Sequence, residues 1–258
     1  MERDDAATKV AHLEEIAARY DPSNPSEEFD YWLKRLQATV ARQWLLGDRV
    51  LELGCATGEL SALLSPMAAE YHIVEGSPAN IDMARRRVPT ARFTESLWEQ
   101  FEPDRSFTDI VAFNAVEHVS DPFGLLQRIR GWLAPGGRLH IVVPNGLSLH
   151  RLVGVELGLQ RDPLSLTEGD RLQGHVRNYT IESLRAEVIS AGFRLVHWQG
   201  IFLKVLSNRQ MLDWGWDLIL ALHRVGQRFP EHGAELYLVA EAASRKAAGS
   251  GSDSVERA

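Results

Sequence analysis

The stretch VLELGCATGEL, from Val50 to Leu60, decides the fold. An apolar run ends in Glu52, passes through Gly54, Ala56 and Gly58, and leads into residues with helical spacing. A strand that enters a helix through such a loop places backbone N–H groups at the carboxyl edge of a sheet, where α/β folds bind nucleotide-like ligands. The stretch therefore predicts a nucleoside-binding pocket after the first strand.

A second apolar segment, YHIVEG, follows after one helix length and includes Glu75. An acid about 20 residues past the glycines is placed to hold a ribose diol. Glu59 occupies the slot where a dinucleotide fingerprint has its third glycine. A carboxylate at this position would repel the diphosphate of NAD or FAD. The sequence therefore disfavours these cofactors and, with them, a dehydrogenase. The spacing therefore favours a nucleoside cofactor without phosphate.

Length, composition and charge restrict the class of protein. The chain has 258 residues, of which 45% are hydrophobic and 24% charged, and this suits one α/β domain with extensions. The net charge of −7 argues against a nucleic-acid partner. The single cysteine, Cys55, indicates a reducing, cytoplasmic setting. The sequence predicts no signal peptide and no membrane partner. It leaves open whether the chain is a monomer or a homodimer.

Strand and helix patterns alternate along most of the chain. The order predicts an α/β fold with a Rossmann-like sheet of seven strands and helices on both faces. We expect an N-terminal helical extension (1–46), a main domain (47–243) and a disordered tail (244–258). A polar, turn-rich insertion after the fifth strand (147–178) is long enough to be functional.

Three motifs resemble those of class I S-adenosylmethionine-dependent methyltransferases. The pattern E-x-G-x-A-x-G, with Ala56 at the usual middle glycine, resembles the first motif of that family. FTDIVAFNAVEHVSDPFGLL (Phe107–Leu126) resembles the fourth-strand region of its ubiquinone-biosynthesis-like small-molecule branch, and WLAPGGRLHIVVPN (Trp132–Asn145) resembles the turn into the fifth strand. The resemblance implies a mostly parallel sheet with one antiparallel strand, a methyltransferase domain at 47–243, and S-adenosyl-L-methionine as the cofactor.

The resemblance also implies which residues contact the cofactor. They lie in the glycine loop, at the end of the second strand, after the third strand and after the fourth. The candidates are Glu52, Gly54, Cys55, Ala56, Gly58, Glu75, Gly76, Ser77, Glu95, Ser96, Leu97, Asn114, Ala115 and His118.

Two histidines are candidate catalytic residues, because histidine is the natural general base near pH 7. His118 follows the fourth strand beside the expected methyl position, and it can equally be a structural histidine that orients the loop with Glu117. His175 lies where the chain returns over the carboxyl edge, and its alternative is a polar loop contact. We expect the insertion (147–178) to be an acceptor-side lid. No metal site is predicted. Candidate substrate contacts are Tyr31, Asn145, His150, Arg177 and Tyr179.

The sequence thus predicts an S-adenosylmethionine-dependent methyltransferase with a small-molecule acceptor. We expect O-methylation of a hydroxyl or carboxyl group in a secondary metabolite, sugar or quinone-like molecule. The alternatives are an N- or C-methyltransferase of a small molecule or peptide, and a catalytically silent methyltransferase-like partner protein. A nucleic-acid methyltransferase is disfavoured, because Asn114 is followed by Ala-Val-Glu and not by Pro-Pro-Tyr or Pro-Pro-Phe.

Overall fold

The computed structural model describes residues 2–18 and 28–243, with side chains from residue 6 onward. The tail expected at 244–258 lies outside these residues. The strands are β1 (Arg49–Leu53), β2 (Glu70–Glu75), β3 (Arg92–Glu95), β4 (Phe107–Phe113), β5 (Leu133–Pro144), β6 (Phe193–Ile201) and β7 (Glu235–Ala242). The α-helices are α1 (Glu2–Ala17), α2 (Asp30–Ala41), α3 (Glu59–Leu64), α4 (Pro78–Arg87), α5 (Pro122–Trp132), α6 (Leu149–Glu156), α7 (Glu168–Leu172), α8 (Ile181–Ser190) and α9 (Trp216–Gly226).

The seven strands form one sheet in the order β3-β2-β1-β4-β5-β7-β6. The pairs among β1 to β5 are parallel, whereas β7 runs antiparallel to both β5 and β6. The predicted fold class, with one antiparallel strand, is confirmed. Because β2 and β4 flank β1 on opposite sides, the strand order reverses there, and open α/β sheets bind ligands at such a point.

Helices cover both faces of the sheet, so the central strands are mostly apolar, with Glu52, Asp109 and His140 as buried polar exceptions. Leu51 packs in a core with residues of α5 and α8, whereas its neighbour Val50 packs in a second core with residues of α2, α3 and α9. Successive side chains of a strand point to opposite faces, which explains this division. The strands thereby form a rigid base for the loops at their carboxyl ends.

Helix α2 ends earlier than the helical periodicity of the sequence predicts. The helical pattern extends to Leu46, but α2 ends at Ala41. The buried carboxylate of Asp109 accepts hydrogen bonds from the backbone N–H groups of Leu46 and Gly47, each at 3.0 Å. These bonds hold the segment in a non-helical course into β1. No helix among the described residues is long and apolar enough to cross a membrane.

Gly58 gives a direct test of how the first loop packs. It precedes α3 with a φ of +87°, and an added Cβ would lie 2.8 Å from Cα of Ala84 in α4. Gly136 also has a positive φ, +74°, but a Cβ there would meet nothing within 4 Å. Gly58 therefore permits both the turn and the close approach of two helices.

We expect Gly58→Ala to lower the free energy of unfolding by about 3 kcal/mol, because backbone strain and overpacking add. Gly136→Ala, the matched control, should lower it by about 1 kcal/mol from strain alone. Urea denaturation measures both. Equal losses in the two variants would show that the contact with Ala84 is unimportant.

Candidate active site

A cavity of about 420 Å³ opens at the carboxyl edge of the sheet. It is lined by the loops after β1, β2, β3 and β4, by α1 and α2, and by the insertion that precedes α8. Twelve of the predicted site residues lie on its wall: Glu52, Gly54, Cys55, Ala56, Glu75, Gly76, Ser96, Leu97, Asn114, His118, His150 and His175. The structure therefore brings residues from several distant segments to one place.

Glu75 joins two loops at this edge. Its Oε2 accepts a hydrogen bond from the backbone N–H of Cys55 at 3.0 Å, and its Oε1 accepts one from the N–H of Ser77 at 2.9 Å. A carboxylate oxygen has two lone pairs, so Oε1 keeps one for a ligand, whereas the second lone pair of Oε2 accepts only the weak thiol donor of Cys55, at 3.8 Å, which a hydroxyl group could replace. The buried carboxylate is thus fixed in position and can still bind a pair of hydroxyl groups.

Glu52 is buried at the end of β1 and is bound on one oxygen only. Ser61 and Tyr71 donate hydroxyl hydrogen bonds to its Oε2 at 2.6 and 3.0 Å. Oε1 has no hydrogen-bond partner among the described residues. Burial raises the pKa of Glu52 to about 7, although the two hydroxyl bonds oppose the shift. A cation in the cavity would supply the partner that Oε1 lacks.

The glycine loop between these two acids is tightly constrained. Ala56 has a φ of +45°, in the left-handed region that its Cβ disfavours. An added Cβ at Gly54 would lie 2.8 Å from the ring of Trp98, which also lines the cavity. Burial raises the pKa of the Cys55 thiol, which excludes a thiolate nucleophile at neutral pH.

A polar network connects the end of β4 with α2 and β7. Asn114 has a φ of +51°, and its Oδ1 accepts hydrogen bonds from Lys34 Nζ at 2.9 Å and Gln37 Nε2 at 2.8 Å. Its Nδ2 donates to Glu235 at 3.1 Å, and Gln37 donates to the same carboxylate. This network orients Asn114, a predicted cofactor contact. No local sequence pattern indicates Lys34 or Glu235, because their partners are distant in the chain.

Helix α1 covers part of the cavity. Lys9, His12, Leu13 and Ile16 line it, at spacings that share one helix face. Glu14 accepts hydrogen bonds from the hydroxyl of Ser77 and, at 3.3 Å, from the N–H of Ala79. The helical periodicity of this segment was visible in the sequence, but nothing in it indicated that the helix lies over the pocket.

The predicted histidines meet at the far side of the cavity. The rings of His118 and His175 lie 4.8 Å apart in an edge-to-face arrangement. Burial lowers the pKa of His118 to about 4 and that of His150 to about 3. A histidine with a pKa near 4 is neutral at pH 7 but a weak proton acceptor. Its burial thus favours the alternative that His118 is a structural histidine.

Several predicted contacts lie off the cavity wall, because their polar groups serve the fold. Asn145 donates to the carbonyls of Glu231 and Gly233, and Arg177 donates to those of Val119 and Ser120. The remaining predicted residues pack against other parts of the chain. Tyr31 packs on Trp32, and the hydroxyl of Tyr179 donates a hydrogen bond to Glu187. Ser77 caps the N-terminus of α4, and Gly58 packs against the same helix. Ala115 lies in the hydrophobic core, and Glu95 lines a separate crevice with His72.

A sequence model of the methyltransferase domain matches residues 22–198, more than half of the chain. The chain belongs to the methyltransferase domain family. A similar relative is a trans-aconitate 2-methyltransferase from Methylobacterium radiotolerans, 33% identical over 40% of this chain and 41% of the relative. The ubiquinone biosynthesis O-methyltransferase of Xanthomonas euvesicatoria is 28% identical over 69% of this chain and 76% of the relative.

A solved structure with the same fold is the N-methyltransferase NodS from Bradyrhizobium japonicum in complex with S-adenosyl-L-homocysteine. It superposes with a TM-score of 0.56 at 13% identity, covering 91% of this chain and 97% of that one. The chain spans less than two thirds of the length of the trans-aconitate relatives, between 41% and 66%. The family and the class I fold are therefore established, and the recognition made from the three motifs is confirmed.

Glu52 predicts a pH dependence of S-adenosylmethionine affinity. At pH 6 the carboxyl, with its pKa near 7, is mostly neutral, and at pH 8 it is mostly ionised. A cationic ligand binds the ionised form better, so affinity should rise by up to about tenfold between these pH values. Glu52→Gln should bind more weakly and should lose this rise in calorimetry. Glu59→Gln, at a cavity-lining acid paired with Arg87, should keep the wild-type slope. A rise in Glu52→Gln as large as that of the wild type would exclude this role, because the α-amino group of the ligand titrates equally in both proteins.

Proposed function

We propose that this chain is an S-adenosylmethionine-dependent methyltransferase that methylates an oxygen atom of a small anionic acceptor. The observation that carries the proposal is one continuous cavity whose wall includes Glu52 and Glu75 as well as His118, His150 and Lys204. We assign the first two residues to the cofactor side and the other three to the acceptor side. Family membership supports methyl transfer as the reaction. The cavity supplies separate surroundings for a nucleoside and for an acceptor.

The cofactor side has the groups that this donor requires. Glu75 would accept the two ribose hydroxyls, and Oε1 of Glu52 would face the positive charge of the methionine portion. Ser96 and Leu97, on the wall after β3, would border the adenine. The assignments of Glu52 and Glu75 use acceptor capacity that the fold leaves unused or fills only with a weak thiol donor. The donor supplies an activated methyl group, and the residues of the chain supply alignment.

The acceptor side carries basic residues, which supports an anionic acceptor. Arg151 and Lys204 line the cavity there together with the acids Asp30 and Asp170, whereas Lys34 lies close enough to Glu52 for its charge to lower the pKa of that carboxyl. Arg151 is paired with Asp170, and Lys34 with Asn114. The ammonium group of Lys204 makes no hydrogen bond or close ion pair with the described residues, and burial lowers its pKa, although the charges of Asp30 and Glu235 oppose the shift. A carboxylate on the acceptor would satisfy this ammonium group.

Transfer to such an acceptor needs positioning more than proton removal. A carboxylate oxygen is already deprotonated at neutral pH, so methyl transfer to it requires no general base. The chain must hold that oxygen roughly 3 Å from the methyl carbon and in line with the sulfur. The low basicity of His118 agrees with this chemistry. Relatives named for trans-aconitate and for ubiquinone O-methylation support an oxygen acceptor.

The test is a methylation screen over carboxylates, phenols, sugars and amines, with mass readout and S-adenosylhomocysteine detection. We expect methyl esters of small carboxylates. Lys204→Gln should raise KM for the acceptor by about tenfold or more, with little change in kcat, because one charge-assisted hydrogen bond is lost. Arg209→Gln, at an exposed position nearby, should leave KM unchanged.

Two results would contradict the proposal. Methylation confined to amines would replace the oxygen acceptor with a nitrogen. Release of no S-adenosylhomocysteine with any acceptor class, despite cofactor binding, would support the silent-partner alternative.

A further inference from the structure

We propose that Glu117, His118 and His175 form a binding site for a first-row divalent cation such as Zn²⁺. Each residue offers one ligand atom, and these atoms lie within 4.8 Å of one another. Glu117 and His118 come from the turn after β4, whereas His175 comes from the insertion. The inference goes beyond the proposed function, because cation binding requires neither cofactor nor acceptor.

The carboxylate of Glu117 is the first observation behind this site. Its side chain is fully buried, and neither oxygen has a hydrogen-bond partner among the described residues. A buried carboxylate without a partner is expensive, and buried charges in proteins are paired or coordinate metals. The nearest groups are the two imidazoles, with Oε1 lying 4.0 Å from Nε2 of His118.

The orientation of His175 is the second, independent observation. Its Nδ1 lies 3.7 Å from Oδ1 of Asp170, just beyond hydrogen-bond distance, and has no hydrogen-bond partner among the described residues. A small approach of the two groups would let Nδ1 donate to Asp170 and would leave Nε2 as the nitrogen for an ion. Asp170 is itself fixed by Arg151 and by the backbone N–H of Thr167. Metal-binding histidines commonly have a carboxylate behind the second ring nitrogen, which sets the tautomer and the ring direction. The insertion places Asp170 where it could take this part.

The distances require only a small contraction. The point equidistant from three atoms 4.8 Å apart lies about 2.8 Å from each, compared with zinc–nitrogen bonds of about 2.1 Å. Each ligand atom must therefore move inward by about 0.7 Å, which side-chain rotation allows. Two imidazoles and one carboxylate form a ligand set that zinc, cobalt and iron accept.

The position of the site gives the cation a role. His118 and His175 line the cavity, so an ion between them would keep a coordination position open toward the acceptor side. An acceptor carboxylate or hydroxyl oxygen is a suitable further ligand for such an ion. The insertion would then be held to β4 by the metal, in addition to the hydrogen bond from Val176 N–H to the carbonyl of Glu117.

The experiment is equilibrium dialysis of the tag-free full chain against Zn²⁺, with metal analysis, and titration with Co²⁺ followed by visible absorption. We expect one equivalent bound and the visible bands of histidine-coordinated cobalt. His175→Ala and Glu117→Gln should each weaken binding by at least about tenfold. His197→Gln, which changes a histidine outside the cavity, should bind like the wild type.

The variant Glu117→Gln also tests whether Glu117 binds a cation or is only a neutral, buried carboxyl group. The amide is nearly isosteric and uncharged, so the apo protein should be at least as thermally stable as the wild type, whereas Zn²⁺ should no longer raise its Tm. An absence of stoichiometric zinc in the wild type would overturn the site. Equal zinc affinity in Glu117→Gln, His175→Ala and the wild type would also overturn it. Both results are independent of whether methyl transfer occurs.

Discussion

The buried carboxylate of Glu75 is the interaction on which the nucleoside edge depends. It accepts one backbone N–H from the glycine loop after β1 and one from the turn into α4. Parallel pairing of β1 with β2 brings these loops together, and the carboxylate fixes their separation. The same turn is tied to α1 through Ser77 and Glu14. The edge, the turn and the covering helix are thus connected through one acidic side chain.

The acceptor side has a different physical character. Charged groups dominate it, and both oxygens of Glu117 and Nδ1 of His150 are buried without a hydrogen-bond partner among the described residues. Buried polar atoms without a partner are uncommon in proteins, and a bound ligand, ion or water is one explanation for them. Contacts between the insertion and the turn after β4 run through Val176 and Arg177. The cofactor side is therefore formed by the sheet, and the acceptor side is completed by the insertion.

The sequence predicted the sheet and its cofactor edge because both depend on local patterns. Strand periodicity, the loop from Gly54 to Gly58 and the acid at Glu75 each lie within a short stretch. The acceptor side depends on contacts between distant residues, such as Gln37 with Glu235, 198 positions apart, which one sequence does not reveal. Asn145 and Arg177 were predicted as substrate contacts from residue type, but they bind backbone carbonyls that the irregular loops leave unpaired.

The measurement that tests the central claim most directly is the affinity of the variant Glu75→Gln for S-adenosyl-L-homocysteine, compared with the affinity of the variant Glu95→Gln. The two acids are register partners on adjacent strands, but only Glu75 lines the cavity. We predict that Glu75→Gln binds at least about tenfold more weakly, because an acceptor for the ribose hydroxyls is lost, and that Glu95→Gln binds like the wild type. Equal affinities in the two variants would contradict this account of the nucleoside edge.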